Sequence, residues 1–520
     1  MKKILQSFMF LTTFLTGCAS PMNEKTTLKL NCEQSPASLI PHYGVDLNCR
    51  NLQNNLYEGL VRLNPDSKPH LAIAKSYTIS NDQKTYTFFL KKTKWSNGEP
   101  LTAYDFERSW KKAIAPESEC LRPDLFYLIL NAKQAKEGIL PLDQVGVIAK
   151  NNEELVVTLE HPAPYFLDLI ATAIFAPIYP NHSKVHVGNG PFRVTAWKKE
   201  QLLRLEKNPH FWDKTSLKID QIDITFIHDP NTALLLFEKG ELDWMGNPFT
   251  CLPADAINPL KEKGSLQITS IAGNYLFSCN VERFPLNNAN IRKALACAIN
   301  REEIVTHVMP GETVAFSILT PSIEEKSVIS DGNSLEAQKY FKIGLQELNL
   351  NSDTFPSLVL TYAEIGNQKK VAQSVQQMFK KSLGIEVALE GLEWNHFFNT
   401  FISHKYQIGG CLWYSVFNDP IYFLDFLREK KNRYNTTGWE NPYYQELLAH
   451  ADATILEEQR NEHLRAAYLL LQEEMPMIPV YFENYKYIKR EELTDVYVSP
   501  LGHVDLRWAS FKPKKVANVQ

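Results

Sequence analysis

The sequence predicts an α/β protein of two or three domains. Helical and strand periodicities alternate along the chain, a pattern that favours sheets covered by helices. At 520 residues the chain also exceeds what one hydrophobic core ordinarily serves. It holds no internal repeat and no low-complexity tract. The formal charge is −4, or −6 without Lys2 and Lys3. So mildly acidic a chain carries no electrostatic footprint for nucleic acid, and no such partner is expected. The short basic tail Lys512-Pro513-Lys514-Lys515 reads as a solvated terminus.

Residues 1–17 have the layout of an export signal, with Lys2 and Lys3 ahead of an apolar run from Ile4 to Leu15 that is too short to span a bilayer. Leu15-Thr16-Gly17-Cys18 resembles the bacterial lipobox, whose cysteine is acylated and becomes the first residue of the mature protein. Cys18 is therefore the expected lipidation site, and two or more acyl chains, at about 0.8 kcal/mol per buried CH₂, give stable anchoring. No later stretch is long and apolar enough to span a membrane, so the expected mature chain is a soluble body on a lipid tether. The other cysteines, Cys32, Cys49, Cys120, Cys251, Cys279, Cys297 and Cys411, are odd in number and leave at least one unpaired. Their wide spacing shows no C-x-x-C pair and no zinc framework. Buried thiols are the default reading, with a disulfide or two open to an exported chain.

Taken in order, Asn64-Pro65-Asp66 is a turn, and Thr85 to Leu90 alternates as a strand with both faces largely covered. Ser96-Asn97-Gly98 supplies another turn. Thr102 and Asp105 form a capping box for a helix whose Phe106, Trp110 and Ala113 share a face. Gly188 to Pro191 is a loop, Phe192 to Trp197 a strand, and Asn208-Pro209 a turn. Ile222, Ile224 and Phe226 alternate as a strand, after which Asn231 is the expected cap of a helix from Thr232 to Glu238. Asn290 to Asn300 puts Ile291, Leu295 and Ala298 on one helical face, and Asn300 with Glu303 caps a second helix ending near Gly311.

A polar stretch from Ser322 to Asp331 reads as a surface connection. Gln368 to Leu383 is an amphipathic helix stopped by Gly384, followed by a strand through Ile385, Val387 and Leu389 and a helix bearing Phe397, Phe398 and Phe401. Late helices from Pro442 to Leu456 and from Gln459 to Glu474 precede a strand from Ile478 to Tyr485. Between these groups lies GGCLWYSVFNDPIYF, Gly409 to Phe423, an apolar run ending in the turn Asn418-Asp419-Pro420. Trp413, Tyr414, Phe417 and Tyr422 crowd that turn. Such rings suit the wall of a ligand cleft, because they offer rigid contact area at low entropic cost; they equally suit a core strand leaving its sheet.

The segments YEGLVRLNPD, YTFFLKKTKWSNGEPLTAYDF, GNGPFRVTAWKKEQLLRLEKNPHFW, FEKGELDW and FPLNNANIRKALACAINREEIV resemble, in this order and spacing, landmarks of the family 5 solute-binding proteins. These are the oligopeptide-binding components of ABC importers. The resemblance runs from about Leu56 to the 480s and implies a periplasmic-binding-protein-like fold of type II, cluster C. That fold is a two-lobed flytrap with an inserted domain. Lobe I would comprise residues 18–57, 184–272 and 486–520, the insertion 58–183, and lobe II 273–485. Also implied are hinge closure around an oligopeptide held by its backbone as an added strand, delivery to membrane permease subunits, and a lipid-anchored extracytoplasmic or periplasmic monomer. No cofactor, metal or enzymatic activity is implied. ATP hydrolysis would belong to other subunits, and the chain has no G-x-x-x-x-G-K-[ST] loop.

In peptide-binding members an aspartate two residues before the N-[DE]-P turn pairs with the peptide's α-ammonium; here that position is Val416. The cysteine pair with which some members pin this loop is also missing, its places taken by Gly273 and Tyr414. A buried ammonium without its carboxylate is costly. Either another acid such as Asp419 reaches the amine, or the ligand presents no free α-amine there, as in modified or cell-wall-derived peptides. The resemblance assigns ligand contact to Trp413, Tyr414, Ser415, Val416, Phe417, Asn418 and Asp419. It adds Trp394 as a pocket wall and Asn274, Tyr275 and Phe277 as backbone edges, with plain core packing as the alternative for these four. Rival readings keep the fold for a nickel chelate, haem or sugar, or make the chain a secreted hydrolase. The sequence has no H-E-x-x-H or G-x-S-x-G, and His182 and His186 lie in a loop context that disfavours a metal site.

Overall fold

Two long strands, Gln267–Cys279 and Met477–Lys489, run antiparallel to each other, from Gln267 opposite Tyr487 to Ser278 opposite Met477. At one end Trp244–Gly246 pairs with the second of them. At the other, Ile408–Tyr414 pairs with the first, beginning with Gly273 opposite Tyr414. Leu358–Ala363 and Val387–Leu392 extend this sheet in parallel. The register slips between Ser270 and Gly273, where the third strand joins, and such a slip bends and twists the ribbon. The computed structural model describes residues 25–44, 46–65, 67–180, 186–319 and 329–512. The export signal, Cys18, Asp66, His182, most of the polar stretch 322–331 and all but the first residue of the basic tail lie outside them. Among the described residues no helix is long and apolar enough to cross a membrane.

Three large cores flank this ribbon. The first gathers Leu28, Leu30, Phe192, Leu203, Leu205, Ile222 and Ile224 with Leu493, Val504 and Leu506. It is built on the four-stranded sheet in which Thr27–Cys32 lies parallel to Gln221–Phe226. The second packs Ala289–Ala298 and Gln368–Leu383 against the other end of the crossing strands. Buried Arg292 and Arg301 bind these parts together by donating to backbone carbonyls, among them Leu286 at 2.7 Å and Pro479 at 2.8 Å. The third core joins residues of the 60–179 stretch to others between 416 and 477.

Residues 74–158 contribute an antiparallel sheet of Ala74–Ile79, Thr85–Leu90, Glu154–Thr158 and Val147–Asn151, covered by the helix Ala103–Ile114 with its Thr102/Asp105 capping box. The chain leaves for this unit and returns from it at one place. Gly190 N donates to Leu56 O at 2.9 Å, and the Asn189 amide brackets Glu58, accepting from its N at 3.0 Å and donating to its O at 2.8 Å. A Cβ on Gly188 or Gly190 would lie within 2.5 Å of Leu56 backbone atoms, so only glycine permits the two segments to touch. The motifs YEGL and GNGPF are thus two sides of one junction.

Most predicted elements form. Thr85–Leu90 buries Tyr86, Phe88 and Leu90 and leaves its other face half covered. The helix after Phe226 is Pro230–Glu238, and its cap is Asp229, which accepts from Thr232 N at 2.7 Å, not Asn231. Pro230 at the first helical position favours the cap directly before it. The helix capped by Asn300 ends at His307, short of Gly311. The strand Met477–Lys489 is longer than the expected Ile478 to Tyr485 because it serves both ends of the ribbon. Cys32, Cys49, Cys120, Cys279, Cys297 and Cys411 are buried free thiols, and Cys251 is exposed. Burial pushes Cys32, Cys49, Cys279 and Cys411 up to about 12, which leaves them un-ionised and unreactive.

Candidate ligand-binding site

A cavity of about 470 Å³ lies between the first and third cores, within the usual size of small-ligand sites. The helix Leu47–Leu56 supplies one wall. Asp46 caps it, accepting from Cys49 N at 2.9 Å. Helical spacing turns Cys49, Leu52 and Leu56 inward and leaves Leu47, Arg50 and Asn54 on the cavity side. Buried Asn51 holds the C-terminal segment, donating to Gly502 O at 3.1 Å, which brings His503 to the same wall.

Arg122, Leu125 and residues 172–174 enter from the 60–179 stretch. Most of the remaining wall is aromatic: Trp394, Phe398, Trp413, Tyr414, Tyr422, Phe426 and Tyr434, with Val416 among them. Glu393 caps the helix Trp394–Ile402, and its Phe397 and Phe401 are buried while Trp394 and Phe398, one turn apart, face the cavity. Ring pressure also explains Gly409-Gly410 in the strand Ile408–Tyr414. A Cβ there would lie 2.5 Å from the Phe401 ring or 2.2 Å from the Tyr275 hydroxyl.

The cavity's charges are unevenly matched. Arg122 is held by Asp124 at 2.7 Å and lies 4.9 Å from the Tyr434 ring centre. Burial lowers the pKa of Arg50, with Arg122 adding to the effect. Burial, helped by Arg50, pushes His503 down to about 3, so its ring is neutral at physiological pH. Three buried atoms on the lining residues have no hydrogen-bond partner: Asn48 Oδ1, Arg50 Nε and Trp413 Nε1. Each such group costs about 1–3 kcal/mol, and a cluster of them on one cavity is the mark of a site that recognises something polar. Among the described residues no group of three or more His, Cys, Asp or Glu side chains could hold a metal ion.

The family model of the bacterial extracellular solute-binding proteins, family 5 middle, matches residues 68–435. This chain belongs to family 5. It is 38% identical over 507 residues to the oligopeptide-binding protein OppA of Bacillus subtilis, covering 94% of this chain and 93% of that protein. It is 34% identical over 503 residues to the dipeptide-binding protein DppE of the same organism, covering 93% and 91%. Among solved structures, the murein tripeptide binding protein MppA of Escherichia coli superposes with a TM-score of 0.81 at 25% identity, covering 94% of this chain and 99% of that one. OppA of Haemophilus influenzae, in complex with a peptide, superposes with a TM-score of 0.80 at 24% identity over the same shares. The likeness establishes the two-lobed α/β flytrap fold.

Set on this family 5 frame, Trp394, Trp413, Tyr414 and Val416 line the cavity, and the other residues expected there do not. Ser415 Oγ donates to Phe417 O at 2.6 Å and shapes the turn. Phe417 stacks on Tyr165 with ring centres 5.0 Å apart. Asn418 is exposed. Asp419 grips Arg460 with both oxygens, at 2.9 and 3.0 Å, and Arg460 in turn lies 5.4 Å from the Tyr165 ring centre. The Asp419 carboxylate is therefore committed to Arg460. Asn274 donates to Ser317 O at 2.7 Å, Tyr275 stacks on Tyr481 at 4.9 Å, and Phe277 is buried in the second core. Packing covers both faces of this sheet, so alternation in the sequence could not tell cleft from core. Sequence reasoning missed Asn48, Arg50, Arg122 and His503. The one available signal was the polar stripe on the first helix opposite Cys49, Leu52 and Leu56.

Tyr414 lies against Gly273, where a Cβ would come within 3.0 Å of its ring, and Gly273 sits opposite Glu483 on the second crossing strand. Burial, reinforced by Glu312, pushes the Glu483 carboxyl up to about 7 from an ordinary 4.5. The fold thus retains a proton that the unfolded chain releases, and stability falls as pH rises from about 4.5 to about 7. Glu483→Gln is expected to match wild type near pH 4.5 and to exceed it by about 2–3 kcal/mol at pH 8. Urea unfolding at the two pH values measures the difference, and a variant less stable than wild type at pH 8 contradicts the assignment.

Proposed function

We propose that this chain captures oligopeptides or peptide-like solutes in the cavity, closes its lobes over them and hands them to the permease of an ABC importer. It does so as a monomer tethered outside the cytoplasm through lipidated Cys18, and it turns over no substrate. The observation that carries this reading is the cavity itself, walled by residues of the first and third cores and bearing three unpartnered polar atoms. Relatives named for binding oligopeptides and dipeptides support the solute class. Contacts that bridge the lobes support capture by closure: Tyr165 on Phe417, and His161 on Asp452 at 3.8 Å.

A thermal-shift panel of short peptides, murein fragments, sugars and metal chelates tests the proposal. A solute that binds only the folded chain adds about 2.7 kcal/mol at a hundred times its Kd. Peptides or murein fragments should raise the unfolding temperature. A shift confined to sugars or chelates, or release of a cleaved product, would overturn the reading.

A further inference from the structure

The cavity holds one cation without a counter-charge. Arg122 is neutralised by Asp124, Asp46 is occupied in capping its own helix, and His503 is neutral. Arg50 makes no ion pair among the described residues, and its Nε, buried, has no hydrogen-bond partner. The groups that act on it most strongly are Arg122 and the hydroxyls of Tyr414, Tyr422 and Tyr485, with His503 also interacting with it, and none of them is a carboxylate. A guanidinium whose Nε is buried without a partner beside aromatic rings is costly unless an anion pairs with it, and its planar fork suits a carboxylate. On the same cavity Val416 offers an ammonium nothing, and Arg50 would repel one.

Resting on the reading of this cavity as the solute site, we propose that Arg50 is its anion receptor. It binds a carboxylate of the solute, so the site favours acidic, amine-blocked peptide-like ligands. Trp413 Nε1 and Asn48 Oδ1, also unpartnered, give a neighbouring donor and acceptor for the amide groups of such a ligand.

Titration calorimetry on the detergent-solubilised full-length protein tests this with matched probes. One pair is N-acetyl-Ala-Glu-Ala-amide against its glutamine counterpart, which isolates a side-chain carboxylate. A second is N-acetyl-trialanine against its C-terminal amide, and a third, glucuronic acid against glucose, carries the charge on a non-peptide. In at least one pair the acid should bind roughly tenfold tighter or more, about 1.4 kcal/mol. Arg50→Gln should erase that preference without lowering the unfolding temperature of the ligand-free protein, and Arg50→Lys should keep part of it. An acid preference in none of the pairs, or one that survives in Arg50→Gln, overturns the proposal. Arg50-dependent preference in the sugar pair alone would retain the anion receptor and sink the peptide reading.

Discussion

Asp419→Ala is expected to cost about 3–5 kcal/mol of stability, because it leaves a buried guanidinium without its partner. The Arg460 side chain is 4% exposed and Asp419 12%, so little water reaches the pair. Arg460 also lies 5.4 Å from the Tyr165 ring centre, so under the proposed capture by closure the variant should weaken closure as well. Affinity should then fall by a similar factor for free-amine and N-acetylated peptides. Urea unfolding and paired calorimetry check both parts. Stability within about 1 kcal/mol of wild type, or a loss confined to free-amine peptides, would show that Asp419 serves the ligand instead of Arg460.

Val416→Asp should change the class of ligand. Val416 is 5% exposed on the cavity wall, and a carboxylate placed there without a partner destabilises the ligand-free protein. With a free-amine peptide bound, the same carboxylate gains a charge-assisted bond worth about 1.5–3 kcal/mol. Trialanine should therefore bind about tenfold to a hundredfold tighter than to wild type, while N-acetyl-trialanine gains nothing. Equal affinity of trialanine for the two proteins would mean that this wall does not face the amine end of a ligand.

The elements were legible wherever local chemistry decided them. The capping box at Thr102 and Asp105, the stop at Gly384 and the turn at Asn418-Asp419-Pro420 are short-range signals, and the structure uses each of them. At Asp229-Pro230-Asn231 two cap formers compete, and the proline position decides between them. The site was half legible. Trp413, Tyr414 and Val416 share a stretch whose aromatic crowding is visible in one line of sequence. Arg50 was invisible, because its defining property is the lack of a partner, a fact about residues as distant as Tyr422 and Tyr485. The pairing of Asp419 was hidden for the converse reason: its partner Arg460 lies 41 residues away, and nothing local announces the pair. For Tyr275 and Phe277 the sequence could not choose between cleft edge and core, since a strand covered on both faces carries no polarity signal.

Intact-complex mass spectrometry of gently purified wild-type protein tests the central claim most directly, because it identifies the captured solute. The expected result is a bound peptide-like species that carries a carboxylate and lacks a free α-amine, and that is lost from Arg50→Gln. A mixed population of ordinary free-amine peptides, or a neutral sugar, haem or metal chelate retained equally by both proteins, would contradict it.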